Sequence, residues 1–242
     1  MLADIKIVLV ETTHPGNIGG VARAMKNMRM DNLCLVNPKI FPSADATSRA
    51  SGADDILSKA IVYDSLQEAV ADCQIVIGAS ARSRTISWPE ITPRECAEKI
   101  IVHEPGKKVG ILFGREHSGL KNHELDLCHF LLHIPCNSDF SSLNIAAAVQ
   151  IVCYELFVAA GIKQEEKLVV GDQGENPLAT THQMDLFYDH FYQTLIDIGF
   201  MHPDKSKTIM RRLRRIFNRS HLDSKEVDIL RGILRMAQGG PK

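Results

Sequence analysis

Short apolar runs alternating with longer amphipathic stretches set the pattern of the first two-thirds of the chain. Ile5–Val10 (IKIVLV) is a β-branched run of the kind that becomes a strand buried on both faces of a parallel sheet. Comparable runs recur at Leu33–Val36, Gln74–Gly78 (QIVIG), Val109–Phe113 (VGILF) and Phe130–Ile134 (FLLHI). Between them a glycine-rich turn leads into a helical pattern from about Gly20 to Met28, and another covers Ser65–Asp72. Ser142–Ala160 reads as a long apolar helix rich in alanine. Strands separated by helices predict an α/β fold with a mostly parallel sheet covered on both faces.

The pattern changes after Gly161. The stretch Lys163–Thr181 is polar, carries charges with scattered Gly and Pro, and has no period, so it reads as a linker. Beyond it Phe187, Phe191, Leu195 and Ile198 fall at helical spacing, as do Ile209, Leu213 and Ile216, which would face a core. Asp223 with Glu226 forms a capping-box pattern ahead of Val227, Leu230 and Leu234. The expected organisation is therefore an α/β domain over 1–160, a linker over 161–181 and a small all-α domain over 182–242.

Composition narrows the classes. A chain of 242 residues with 45% hydrophobic and 24% charged residues is that of an ordinary soluble protein with a sizeable core. The formal net charge is −1, so a polyanionic partner would have to be met by local clustering of charge. Such a cluster exists: Lys205, Lys207, Arg211, Arg212, Arg214, Arg215 and Arg219 follow one another with no acidic residue between. The six cysteines form no C-x-x-C pair and no Cys/His group has zinc-ligand spacing, so no metal is expected. The opening MLADIKIVLVE is acidic and strand-like, unlike a signal peptide. No apolar run approaches the roughly 20 residues of a membrane span. Reduced thiols, a cytoplasmic location and no membrane partner follow as expectations.

Three segments could carry chemistry. In Glu11–Arg23 (ETTHPGNIGGVAR), a strand, a glycine turn and a helix start follow one another, the layout of many anion sites, although the glycines fit neither a dinucleotide fingerprint nor a P-loop. In Leu112–Leu120 (LFGREHSGL), a strand ends at a glycine and an Arg–Glu pair follows, at the end of the sheet where ligands collect. In Ile134–Gln150 (IPCNSDFSSLNIAAAVQ), Ser141, Ser142 and Asn144 stand between a strand and the long helix. Each segment also has a plain structural reading, as a tight turn, a solvated charged turn and a helix cap respectively.

Their order removes that ambiguity. N-I-G-x-x-A-R at Asn17–Arg23, F-G-R-E-x-x-G-L at Phe113–Leu120 and F-S-S-L-N-I-A-A-A-V at Phe140–Val149 resemble, in order and spacing, the three motifs of the SPOUT family of RNA methyltransferases. The segment Gly78–Pro93 and the basic C-terminal region extend the resemblance to the bacterial members that methylate the ribose 2′-hydroxyl of nucleotide 32 in the tRNA anticodon loop. The resemblance implies a C-terminal trefoil knot in the α/β domain, which no periodicity would suggest. It further implies S-adenosylmethionine as cofactor, tRNA as partner and action as a homodimer in which the partner chain completes each site. The cofactor loops would be Ala79, Ser80 and Ala81, then Gly114, then Ile134 with Ser141, Ser142 and Leu143. Glycine at 114 would allow the backbone to approach the ligand.

By the same resemblance Arg23 is the catalytic arginine, with Asn17 and Glu116 orienting it or the ribose and Ser142 beside the reacting hydroxyl. A guanidinium does not readily give up a proton, so gripping phosphate and stabilising oxyanion charge suit Arg23 better than acting as a base. Arg82 and Arg84, with Lys207, Arg211, Arg212, Arg214 and Arg215, are the expected RNA contacts. Competing readings are a ribosomal RNA 2′-O-methyltransferase, a non-catalytic RNA-binding protein of the same fold, and a nicotinamide-dependent oxidoreductase. The last lacks its fingerprint.

Overall fold

The strands fall largely where the apolar runs predict them. A computed structural model of the chain describes residues 2–81, 88–137, 139–165, 176–203 and 206–239. Among these, β1 (Ile5–Val10), β2 (Leu33–Val36), β3 (Ile61–Tyr63), β4 (Ile75–Ala79), β5 (Glu90–Ile91), β6 (Val109–Phe113) and β7 (Phe130–Leu132) form one sheet in the order β3-β2-β1-β6-β4-β7-β5. Every pairing is parallel. The central strands β1, β2, β4 and β6 are buried almost throughout, which explains their unbroken Val/Ile/Leu composition. β7 sits between β4 and β5, two strands consecutive in the chain, so the chain returns to fill a gap inside its own sheet. That strand order is compatible with the trefoil knot the resemblance implies. The indole of Trp88 fixes the far edge by donating to Cys128 O at 3.2 Å.

Helices cover both faces. They are α1 (Pro15–Asn27), α2 (Ala44–Ala50), α3 (Asp54–Lys59), α4 (Leu66–Val70), α5 (Pro93–Glu98), α6 (Asn122–Leu125) and α7 (Ile145–Glu165). The glycines after β1 are not in a turn, as the sequence suggests, but inside α1, which starts at Pro15. Tertiary contact explains this placement. A Cβ on Gly19 would lie 2.0 Å from Ala46 O of α2, and one on Gly20 would press on the Ala146 side chain of α7 at 3.0 Å. The glycines permit that approach at the cost of about 1 kcal/mol each in helix propensity. α7 begins at Ile145, so Ser142 and Leu143 precede the helix, and Asn144 caps it by accepting from Ala146 N at 2.9 Å.

The chain divides into two compact units, 1–171 and 172–242. The second is built from α8 (Thr181–Asp197), α9 (Ser206–Ser220) and α10 (Ser224–Ala237). Thr180 and Asp223 close capping boxes on α8 and α10. Phe187, Phe191 and Phe217 pack edge-to-face and stacked at 5.0–5.5 Å in its core. One expectation fails here. Ile216 is 44% exposed, and its neighbour Phe217 enters the core instead. The buried face of α9 is set by Phe217 and by Asn218, which accepts from the Tyr188 hydroxyl at 2.6 Å.

Candidate active site

The carboxyl ends of β4, β6 and β7 open into a cavity of about 450 Å³, within the range of small-molecule sites. In an open parallel sheet this is where ligands bind. Two of the three chemistry-bearing segments, Leu112–Leu120 and Ile134–Gln150, meet here with Ala79–Ala81, while Glu11–Arg23 lines none of it. Ala79, Ser80 and Ala81 form one wall, and Gly114 and Glu116 a second. Ile134, Ser141, Ser142 and Leu143 form a third. Phe113, Leu132, Ile145 and Ala148 supply apolar floor, and Cys136 and Asn144 complete the rim. Small side chains leave the loop backbone close to the space, so the walls combine apolar surface with peptide donors and acceptors.

Gly114 has a different reason from the one the sequence suggested. A Cβ there would fall 2.2 Å from Gly119 C and 2.3 Å from Leu120 N. The loop folds back on itself, with Gly119 N donating to Arg115 O at 2.9 Å, and only glycine fits under the returning strand of chain. Gly114 therefore shapes the wall through the protein's own backbone.

The charges of this loop are internally committed. Arg115 is 11% exposed at its side chain and holds the buried Glu124 by two parallel bonds, Nη1 to Oε2 at 3.0 Å and Nη2 to Oε1 at 2.8 Å. Its Nε donates to Glu11 Oε2 at 2.7 Å, and Nη1 also reaches Gly119 O at 3.2 Å. These bonds raise the Arg115 pKa, and the Arg115 bond holds the Glu11 carboxyl down at about 2. Glu11 ends β1 with φ 49°, an uncommon backbone for a non-glycine residue, and the Arg115 bonds hold its side chain. One guanidinium thus ties the end of β1, the loop 114–120 and α6 together.

Glu116 does the same for α1. Its carboxylate accepts from Asn17 Nδ2 at 2.9 Å, Thr13 Oγ1 at 2.9 Å, Thr13 N at 3.2 Å and His14 N at 3.3 Å. The residue before α1, His14, makes no side-chain cap, and Glu116, a hundred residues away, accepts from the backbone of Thr13 and His14 and from the Asn17 side chain at the entry to the helix. Burial pushes the Glu116 carboxyl up, but the bonds from Asn17 and Thr13 outweigh it and hold the pKa at about 2. A carboxylate of the protein itself therefore sits at the entry to α1. Asn17 Oδ1 in turn accepts from Asn144 Nδ2 at 3.0 Å, so one chain of bonds joins all three motif segments.

Arg23 stands apart. It lies on the exposed side of α1 and does not line the cavity. Ser142 is exposed at the rim. Arg82 and Arg84, with Ser83, lie outside the described residues, as does Lys205. On α9, Lys207, Arg212 and Arg219 are exposed, and Arg211 and Arg215 half-buried. Arg214 differs from the solvated contact expected of it. It donates to Asp185 Oδ1 at 3.0 Å and lies 4.3 Å over the Tyr188 ring, fastening α9 to α8. The sequence reading gave no role to Arg115 or Glu124. The R-E of the second motif marks Arg115, but the partnership with Glu11 spans 104 positions and no spacing rule reveals it.

Comparison with known proteins agrees with this geometry. The model of the SpoU rRNA methylase family matches residues 4–154, and that of the C-terminal domain of the tRNA methyltransferase TrmJ matches residues 182–241. The chain belongs to the SpoU methylase family. It is 49% identical to the tRNA (cytidine/uridine/adenosine-2′-O-)-methyltransferase TrmJ of Pseudomonas aeruginosa, over 98% of this chain and 95% of that one. It is 45% identical to the tRNA (cytidine/uridine-2′-O-)-methyltransferase TrmJ of Klebsiella pneumoniae, over 97% and 96%. The crystal structure of TrmJ from Z. mobilis ZM4 matches with a TM-score of 0.82 at 36% identity, covering 96% of this chain and 97% of that one.

Proposed function

We propose that this protein transfers a methyl group from S-adenosylmethionine to the ribose 2′-hydroxyl of a tRNA nucleotide, position 32 of the anticodon loop. The carrying observation is one cavity lined by the second and third motif segments, with the first bonded to both through Asn17, in a chain whose C-terminal region matches the C-terminal domain of the tRNA methyltransferase TrmJ. That C-terminal match favours tRNA over the ribosomal RNA alternative, which the core motifs alone leave open.

The cavity suits the cofactor. Ala79–Ala81, Gly114 and Ile134 with Ser141–Leu143 present backbone groups and small apolar surface to an adenosine, and the ionised Glu116 places negative charge near a sulfonium. Bound there, the cofactor supplies an electrophilic methyl group. The protein's own task is orientation, which is worth roughly 7–11 kcal/mol when two reactants are held in line. Ser142, exposed on the rim, would relay the hydroxyl proton to a phosphate oxygen of the tRNA or to solvent.

Arg23 grips the phosphate beside the target ribose and stabilises the developing oxyanion. Because Arg23 does not line its own cavity, it acts at the cavity of a second protomer. The homodimer would use the exposed side of α7, where Tyr154 is 52% and Phe157 36% exposed. Lys207, Arg211, Arg212 and Arg215 carry tRNA phosphates, and Arg82 and Arg84 would join them. Among the described residues no helix is long and apolar enough to cross a membrane. The tRNA substrate implies work in the cytoplasm.

Methyl transfer from labelled cofactor to unfractionated tRNA, followed by mapping of the product, tests the reading. A ribose-methylated nucleotide at position 32 is expected, and labelling of a base atom or of ribosomal RNA alone would overturn it.

A further inference from the structure

The rim of the cavity carries a feature that neither the cofactor nor the proton relay uses. Phe140 is 79% exposed, the most exposed of the large apolar side chains among the described residues. It immediately precedes Ser141 and Ser142, which line the cavity. Its presentation is built: Phe140 N donates to Asn137 O at 3.0 Å, and Asp139 N to Asn137 Oδ1 at 3.0 Å, closing a turn that carries the ring. A bare aromatic ring loses the benefit of burial unless something covers it.

We infer that Phe140 is the stacking platform for the nucleobase of the nucleotide whose ribose is methylated. The inference rests on the function proposed above, because it needs a ribose held at Ser142. A base hangs one glycosidic bond from that ribose, so a base splayed from the anticodon loop comes within reach of side chains beside Ser142. Phe140 is two residues away. Enzymes that act on single-stranded loops hold unstacked bases against aromatic rings in this manner. Stacking is also blind to base identity, since every base has a π-face. The relatives fit that tolerance: the Klebsiella enzyme is a cytidine/uridine methyltransferase and the Pseudomonas enzyme a cytidine/uridine/adenosine one. A rim that read hydrogen-bonding edges would not accept adenosine beside the two pyrimidines.

The test pairs a protein change with a substrate change. Phe140→Ala should lower kcat/KM for unmodified tRNA roughly ten- to hundredfold, the range of one base–aromatic stack. Phe140→Trp should keep activity near wild type, and calorimetric affinity for S-adenosylmethionine should be unchanged in both. On a tRNA with an abasic ribose at the mapped target nucleotide, wild type should lose a similar factor and Phe140→Ala should lose nothing further. An Ala variant as active as wild type would overturn the inference, as would an Ala penalty that persists in full on the abasic substrate. A fall in cofactor affinity would reassign the ring to the cofactor wall, and dissociation to monomers on sizing would reassign it to a second copy of the chain. Absence of methyl transfer by wild type to any tRNA would instead remove the function on which the inference stands.

Discussion

Two arginine-bearing regions of this molecule use the same side chain in opposite ways. At the cavity, Arg115 is 11% exposed and spends its donors on Glu11, Glu124 and Gly119. On α9, Arg212 and Arg219 stand in solvent. The first lines a pocket with a guanidinium already committed to the fold. The second group is free to meet a ligand. Each region also contains an exception: Arg23 on α1 is exposed although it belongs to the cavity's motif set, and Arg214 on α9 is fastened to Asp185 and Tyr188 although it belongs to the basic cluster. The partners of a charge, more than its position in a run, decide whether it serves structure or substrate.

The largest effect should come from Arg23. Arg23→Ala should lower kcat roughly 10²–10³-fold, the loss seen when one transition-state donor is removed, with Tm unchanged because Arg23 is exposed and bonds to no other side chain among the described residues. Arg23→Lys should recover little, since an ammonium cannot make the forked phosphate contact. Steady-state kinetics beside thermal melts would show it. Near-full activity of the Lys variant would place Arg23 with the merely solvated charges and break the contrast.

Arg115 should behave in the reverse order. Arg115→Met leaves Glu124 buried without its counter-ion and should destabilise the first unit by about 3 kcal/mol, read by denaturant unfolding. Cofactor affinity should fall with it, because the loop 114–120 loses its clasp. A stable variant with normal cofactor binding would show that the network is ornamental.

These roles differ in how far the sequence discloses them. β1, β2 and β6 were legible to the residue because burial on both faces demands an unbroken apolar run. β3 was not: it is an edge strand with Ile61 and Val62 each 50% exposed, and β5 has two residues. The start of α1 was hidden by Gly16, Gly19 and Gly20, which propensity assigns to a turn and which contact with α2 and α7 explains as helix. On α9 the core face was misread because a helix rich in arginine offers several apolar stripes, and only the Phe187–Phe191 ring cluster selects Phe217. At the cavity, loop membership followed from motif order. The bonds that rigidify those loops join residues a hundred positions apart and carry no local pattern.

A milder effect concerns acid. The ordinary value for both Glu11 and Glu116 is 4.5, and both are held at about 2 in the folded protein. Ionised, they stabilise the fold at pH values above 4.5, and that contribution is lost as pH falls from 4.5 towards 2. Tm followed across that window should drop for wild type, and Glu116→Gln should flatten part of the drop by removing one of the two titrations. An unchanged slope would mean that the donors of Thr13, His14 and Asn17 do not need the charge.

The smallest effects separate the two kinds of arginine on α9. Arg212→Gln should leave Tm unchanged, weaken tRNA binding modestly and lower the slope of log Kd against log salt by about 0.7–0.9, one phosphate's worth of released counterion. Arg214→Gln should do the opposite. Removing its bond to Asp185 and its place over the Tyr188 ring should cost the C-terminal unit on the order of 1 kcal/mol while the salt slope stays where it was. Both variants neutralise one charge three residues or fewer apart on the same helix, so any difference arises from partners and not from net charge. If the two slopes fell equally, Arg214 would leave Asp185 to engage RNA, and the distinction drawn from the folded chain would not survive binding.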